Sequence, residues 1–222
     1  MVKINKNILG LCFLGLIAYF ATFLKISFVC GSYKVFFSGI NLIQPLLSMP
    51  LIGSVFAVVL FFKYFIFSKL ITLGLPTLIS SLCWAVSLKQ QEQNTKTIEF
   101  LNFLLKAIVP AVCMILFVCH PEGSRAYLYS FYWFIPMGVY FLNRLKNYNS
   151  YFLTALTTTF VAHAVGSVIW LYVVPMTSVQ WLALIPLVAI ERLVFACGIS
   201  LTYILSKNIL GMRLQVRKIK SL

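Results

Sequence analysis

Glu191 and Arg192 lie side by side in a long apolar run, Trp181–Leu205, near the C-terminus. The preceding apolar run, Tyr151–Val174, contains His163 near its middle. A charged side chain in hydrocarbon costs several kcal/mol unless it is paired or faces a wet cavity, so such residues usually mark a functional interior. We therefore predict that these three side chains meet in an internal site near mid-depth.

The chemistry of these residue types suits a small polar ligand. Neutral imidazole can donate one hydrogen bond and accept another, so His163 can serve either role. Glu191 could anchor a cation or a hydroxyl group, and Arg192 could hold a carboxylate through two parallel hydrogen bonds. Thr159 and Ser167, on the same apolar run as His163, are candidate auxiliary hydrogen-bond donors.

Two other interpretations of the same residues stay open. The three side chains could form a buried ion pair or triad that locks helices together, or they could relay protons. Because neighbouring helical residues point about 100° apart, we expect Glu191 and Arg192 to serve different neighbours. Lys106 lies near the start of its apolar run and is expected to extend to the membrane surface.

Composition indicates a membrane protein. The chain of 222 residues is 61% hydrophobic and 10% charged, whereas a soluble domain is about 45–50% apolar and about a quarter charged. Apolar runs of about 16 to 25 residues are long enough to cross the hydrocarbon as helices. We predict an all-α bundle of six or seven transmembrane helices that forms one membrane-embedded domain, residues 1–222.

The positions of the apolar runs and basic residues predict a topology. The C-terminal tail is strongly basic, which favours a cytoplasmic C-terminus in a plasma membrane. Lys89–Glu99 and Arg144 then share the cytoplasmic side, and the His120–Arg125 and Pro175–Gln180 loops share the other side. The candidate spans are Ile8–Leu24, Met49–Phe67, Leu70–Leu88, Phe100–Cys119, Tyr127–Leu142, Tyr151–Val174 and Trp181–Leu205.

Aromatic residues cluster on the predicted external side. Such residues are typical of a belt at the membrane interface. We expect them to anchor the protein in lipid, and we expect Glu122 and Arg125 between them to lie in a solvated loop. The belt residues are Tyr127, Tyr129, Tyr132, Trp133, Trp170, Tyr172 and Trp181.

Several classes of chemistry are poorly supported by the sequence. The chain has no Asp, four Glu and two His, so paired-carboxylate catalysis and a multi-histidine metal site are disfavoured. It has no phosphate-binding loop, so energised transport would need another subunit. The net charge of +14 comes largely from residues that flank apolar runs, and this pattern predicts anionic lipid rather than nucleic acid as the partner. No cofactor is predicted.

The segment Ser38–Phe62 resembles the early membrane segment of the substrate-binding S components of energy-coupling-factor vitamin transporters. The turn Pro50-Leu51-Ile52-Gly53 opens an apolar helix in a way that is similar to that family. The resemblance implies a substrate-binding subunit that docks on a transmembrane coupling protein with two ATPases. The first apolar run departs from the family, because Gly15, Ala18 and Thr22 replace its Ala-x-x-x-Ala docking pattern.

Three classes of function follow. The first is a transport protein that binds and translocates a small polar solute through His163, Glu191 and Arg192. The second is a structural or assembly protein of the membrane, in which the same residues tie helices together. The third is an intramembrane enzyme acting on lipid, with His163 as base and Arg192 holding a phosphate.

Overall fold

A computed structural model describes residues 24–30, 33–38, 74–93, 95–146 and 150–209, together with Phe20 and Ile71. The described part begins with a β-hairpin in which β1, Lys25–Cys30, pairs antiparallel with β2, Tyr33–Ser38. The described structure is otherwise helical, in agreement with the all-α prediction, and this hairpin is the exception within it. Its strands are rich in β-branched and aromatic residues, which favour extended backbone. Each strand has six residues, which is too short to give a signal in a prediction that rests on apolar runs of membrane-spanning length.

Helices make up the remainder of the described regular structure. A π-helical turn, Leu104–Ile108, and a 3-10 helix, Tyr127–Trp133, interrupt the α-helices. The α-helices are α1 Leu75–Glu92, α2 Lys96–Phe103, α3 Val109–Cys119, α4 Pro121–Arg125, α5 Phe134–Lys146, α6 Tyr151–Val173, α7 Ser178–Ala183 and α8 Ile185–Ile209.

Three helical stretches in the described part are long and apolar enough to cross a membrane. They are Lys96–Cys119, Tyr151–Val173 and Ile185–Leu205. The prediction of a helical membrane protein is thereby confirmed at this level, while six or seven crossings and a single domain remain predictions. The candidate span Met49–Phe67 lies outside the described residues, as does Ile8–Leu24 apart from Phe20 and Leu24.

The helix α6 is the central element of this part of the chain. In its most apolar segment 61% is buried, against 33% in the corresponding segment of α8. Its most extensive packing is against α1 and α8. Its threonines are compatible with burial because their hydroxyls donate to carbonyls of their own helix. Thr157 bonds the Leu153 carbonyl at 2.8 Å, and Thr158 bonds the Thr154 carbonyl at 2.7 Å.

Prolines explain two irregularities in the helices. Pro186 lacks an N–H, so it cannot donate a hydrogen bond to the carbonyl one turn earlier. The helix is interrupted at Leu184, between α7 and α8. Pro110 also lacks an N–H, and it lies just after the π-helical turn, at the start of α3. The predicted apolar runs Phe100–Cys119 and Trp181–Leu205 therefore both contain a local change of helical geometry.

Contacts at the helix ends agree with the predicted grouping of the loops. At one end, Arg144 pairs with Glu99 at 2.7 Å. At the other end, the Glu122 carboxylate accepts a hydrogen bond from the Ser178 backbone at 2.6 Å, and the His120 and Tyr172 rings are 5.1 Å apart. Which of the two ends faces the cytoplasm stays a prediction.

The predicted aromatic belt is only partly correct. Trp170, Tyr172 and Tyr127 are exposed, as lipid anchoring requires, but other members form the core of the described bundle. Phe117 is fully buried at the centre of that core, where its ring stacks on Tyr129. The prediction was wrong for these rings because residue type alone does not distinguish an interfacial aromatic from a buried one. The buried members of the predicted belt are Tyr129, Trp133 and Trp181.

Candidate functional site

Glu191 and Arg192 lie in the second turn of α8 and are mostly buried. Their side chains are 17% and 15% exposed. Arg192 Nη2 donates to Glu191 Oε2 at 3.3 Å. The expectation that the two would serve different neighbours was therefore wrong, because both side chains are long enough to bend toward each other across the angle between adjacent positions. The pair neutralises itself within one helix.

The guanidinium of Arg192 has further bonding capacity. Its centre lies 4.6 Å from the centroid of the Phe195 ring, one turn along α8, in a cation–π contact. Its Nε is buried and has no hydrogen-bond partner in the described part of the chain. Arg192 thus presents one donor to Glu191 and holds another donor unused in a site largely shielded from water.

His163 lies on α6 and is joined to the 3-10 helix through Ser167. The Ser167 hydroxyl is 3.5 Å from His163 Nε2, at the outer limit of a hydrogen bond, and 3.2 Å from the Tyr129 hydroxyl. The Tyr129 ring is also 5.5 Å from the imidazole, centroid to centroid. Ser167, which we predicted as an auxiliary donor, therefore does lie beside His163.

Tyr129 is the residue around which the predicted site residues come together. It interacts electrostatically with both Glu191 and Arg192, and Arg192 interacts in the same way with His163. The charged pair on α8, the imidazole on α6 and the phenol of the 3-10 helix therefore form one cluster, which we call the Tyr129 cluster. Side chains from three elements contribute to it.

Thr159 is the predicted site residue that the structure leaves outside this cluster. It is buried, and its hydroxyl donates to the Leu156 carbonyl of its own helix at 2.8 Å. With its proton used in this way, Thr159 can only accept a hydrogen bond and cannot act as the donor that we predicted.

From the sequence we assigned Tyr129 to the interfacial belt and did not include it in the predicted site. It stands in the stretch Tyr127-Leu-Tyr-Ser-Phe-Tyr-Trp133, where three tyrosines are equivalent by type and local setting. Only the packing of the 3-10 helix against α6 distinguishes Tyr129 from its neighbours, and no pattern in the sequence reports that packing.

The Tyr129 cluster can bind hydrogen-bond acceptors. An unused guanidinium donor and a phenol suit an oxygen-rich polar group, and the aromatic walls exclude water. Within the described ranges no group of three or more His, Cys, Asp or Glu could hold a metal ion.

No family model matches the chain, and the comparisons with curated proteins and with solved structures found no match.

Proposed function

We propose that the chain is a membrane transport protein that binds and translocates a small polar solute at the Tyr129 cluster. The observation that carries this proposal is the state of Arg192. Its guanidinium is mostly buried, and within the described part of the chain its one ion pair is with its neighbour Glu191 and its Nε has no hydrogen-bond partner. A buried donor without a partner costs about 1–3 kcal/mol, and a bound solute with an oxygen acceptor would remove that cost.

The geometry of the ion pair favours binding over a purely structural role. An ion pair that ties helices together has its partners on different helices, but Glu191 and Arg192 are consecutive residues of α8. Such a pair adds no link between helices. It instead supplies a donor and an acceptor that are already desolvated, as a site for a small polar molecule needs.

The coupling subunit and the orientation belong to the same proposal. The segment Ser38–Phe62, with Pro50–Gly53, is similar to the S components, which work with a coupling protein and two ATPases. Apart from Ser38 this segment lies outside the described residues, as do Gly15, Ala18 and Thr22. The basic C-terminal tail supports a plasma-membrane protein whose C-terminus and Arg144 end face the cytoplasm.

A thermal-shift screen of the purified protein against metabolites tests the proposal. A solute that binds only the folded state raises the apparent stability by mass action. We expect Arg192→Gln, Glu191→Gln and His163→Ala each to weaken its affinity at least about tenfold, because each removes a group facing the solute.

Arg144→Gln is the matched control, because Arg144 is also paired with a glutamate but lies at the helix ends. This control should bind the solute like the wild type. The proposal fails if the three site variants fold and bind the solute with unchanged affinity.

A role in assembly or structure is the second candidate function. The contact of Ser167 with both His163 and Tyr129 favours it, because that contact links α6 to the 3-10 helix. In that case His163→Ala should lower the melting temperature in detergent, and no solute should restore it.

A further inference from the structure

Lys106 is a further buried basic side chain, remote from the helix ends. It is 3% exposed and lies in the π-helical turn inside the stretch Lys96–Cys119. At a rise of 1.5 Å per residue it is about 15 Å along the helix from Lys96. The expectation that Lys106 extends to the surface was wrong, because the helix begins earlier than Phe100 and carries Lys106 deeper.

The neighbours of Lys106 follow from the antiparallel pairing of α1 with α2. Asn102 lies against Ser87, with the side-chain oxygens 3.5 Å apart, and its Nδ2 donates to the Val86 carbonyl at 3.3 Å. One turn further along both helices, Cys83 faces Lys106, and the two interact electrostatically. A ladder of small polar groups therefore extends along the hairpin, and Lys106 is its one charged member.

Hydroxyl groups surround the Cys83 end of this ladder. The Cys83 thiol lies within reach of the hydroxyls of Ser87 and Thr158. Those hydroxyls already donate to their own helices, Ser87 to the Cys83 carbonyl and Thr158 to the Thr154 carbonyl. Ser80, one turn before Cys83, is fully buried, and its oxygen has no hydrogen-bond partner in the described part of the chain.

No side-chain carboxylate of the chain is free to neutralise Lys106. The chain has four acidic residues, and the structure describes all of them. Three are engaged elsewhere: Glu99 pairs with Arg144, Glu122 pairs with Arg125, and Glu191 pairs with Arg192. The fourth, Glu92, is exposed at the end of α1. A buried ammonium without a counter-charge is costly, so a negative charge from outside the chain would stabilise the fold.

The backbone is also irregular at this point. Pro110 has no N–H to offer the carbonyl of Lys106, which lies four residues earlier. The π-helical turn Leu104–Ile108 closes with a bond from the Val109 N–H to the Leu104 carbonyl. Single π-helical turns of this kind are frequent at functional sites, where they redirect one side chain.

We propose that Lys106 and Ser80 anchor a second binding site, between α1, the π-helical turn and α6, for a singly charged oxyanion such as a carboxylate. The ammonium supplies the counter-charge, and the Ser80 hydroxyl supplies a neutral donor. The anion can be a soluble carboxylate or the phosphate of a lipid headgroup, since both offer one negative charge on oxygen. This site uses none of the residues of the Tyr129 cluster and does not depend on the proposed transport function.

Binding of short carboxylates to the full chain tests this site. The protein is placed in phosphatidylcholine nanodiscs, and its melting temperature is followed with increasing hexanoate, with hexanamide as the uncharged equivalent. We expect hexanoate but not hexanamide to raise the melting temperature. Lys106→Met should lower the affinity for hexanoate, taken from this titration, roughly 30-fold or more, because it removes the buried charge partner. The matched control Lys89→Met, at an exposed position of α1, should respond like the wild type.

Two further measurements identify the source of the anion and protect the test against misfolding. If the natural anion is a lipid headgroup, the wild-type protein should melt at a higher temperature in phosphatidylglycerol nanodiscs than in phosphatidylcholine nanodiscs. The Lys106→Met variant should not show this increase. Labelled lysine in the wild-type protein should show a Lys106 ammonium NMR signal that shifts with hexanoate or phosphatidylglycerol and not with hexanamide. The proposal is overturned if Lys106 is neutral at pH 7 with and without anion, or if the Lys106→Met variant responds to both anions as the wild type does.

Discussion

The Glu122 carboxylate accepts a hydrogen bond from the backbone N–H of Ser178 at 2.6 Å, although 56 positions separate the two residues. Ser178 is the first residue of α7, where backbone N–H groups have no partner within the helix. Glu122 therefore satisfies a free donor at the beginning of that helix and holds the two loops together. The Glu122 side chain is still 30% exposed, as the expectation of a solvated loop implied, but no sequence pattern reveals its backbone partner.

This contact predicts a loss of stability in acid. The hydrogen bond from Ser178 lowers the pKa of Glu122 below its ordinary value, and Arg125 contributes to the same shift. A carboxylate with a depressed folded-state pKa stabilises the fold fully above its unfolded pKa. That stabilisation is lost as the pH falls through the folded-state pKa. We expect the wild-type melting temperature in detergent to decrease across this interval.

Replacement of Glu122 by Gln should remove that part of the pH dependence. The variant should melt below the wild type at neutral pH, and the two curves should converge in acid. Glu92→Gln is the matched control, since Glu92 is exposed, and its curve should follow the wild type. Identical pH profiles for Glu122→Gln and the wild type would show that the contact contributes nothing to folding.

Gly123 and Gly138 predict opposite outcomes for the same substitution. A Cβ on Gly123 would overlap the Phe117 carbonyl oxygen, whereas a Cβ on Gly138 would meet nothing within 4 Å among the described residues. Gly123→Ala must displace backbone and should cost about 1–3 kcal/mol or more of unfolding free energy. Gly138→Ala, inside α5, should be neutral or stabilise by about 0.4–1 kcal/mol. Chemical unfolding in detergent measures both, and a Gly123→Ala protein as stable as the wild type would contradict the close packing of α4 on α3.

Much of the helical framework could be predicted from apolar run length. The run Tyr151–Val174 corresponds to α6, Tyr151–Val173, because Pro175 and polar residues follow it directly. The lengths of the apolar runs, together with the 61% hydrophobic composition, were enough to predict helices of membrane-spanning length. The hairpin β1–β2 was missed because its two strands together are no longer than one short helical run.

The site was harder to predict because burial in a membrane protein depends on which helices pack together. Glu191 and His163 could be identified since a charge or imidazole inside an apolar run is costly wherever it points. Lys106 meets the same criterion, but its depth in the helix could not be predicted from the apolar run. The helix begins at Lys96, in the polar stretch before that run, and this places Lys106 deeper. Tyr129 and Trp181 have the same residue types as exposed members of the belt, so only tertiary contacts assign them to the interior.

Phe117 is predicted to be a main source of packing energy in the described bundle. Its ring lies 5.3 Å from each of the Trp133 and Trp181 rings, edge to face. Phe117→Ala should cost roughly 3–5 kcal/mol because it leaves a cavity among large rings that cannot all move into it. Phe131→Ala, at a half-exposed position of the neighbouring 3-10 helix, is the control and should cost less than 1 kcal/mol or so. Equal losses for the two variants would contradict the central position of Phe117.

The contact between Tyr129 and Ser167 allows a test of how the imidazole is held. Their hydroxyl oxygens are 3.2 Å apart, and Ser167 in turn lies 3.5 Å from His163. Tyr129→Phe and Ser167→Ala each remove the hydrogen bond while leaving the ring packing and the helix in place. Because polar contacts between membrane helices average about 0.6 kcal/mol with a maximum near 1.7, the coupling energy in a double-mutant cycle should fall in that range. A coupling energy of zero would mean that the two hydroxyls act independently, and His163 would then owe its orientation to the aromatic rings around it rather than to this hydrogen bond.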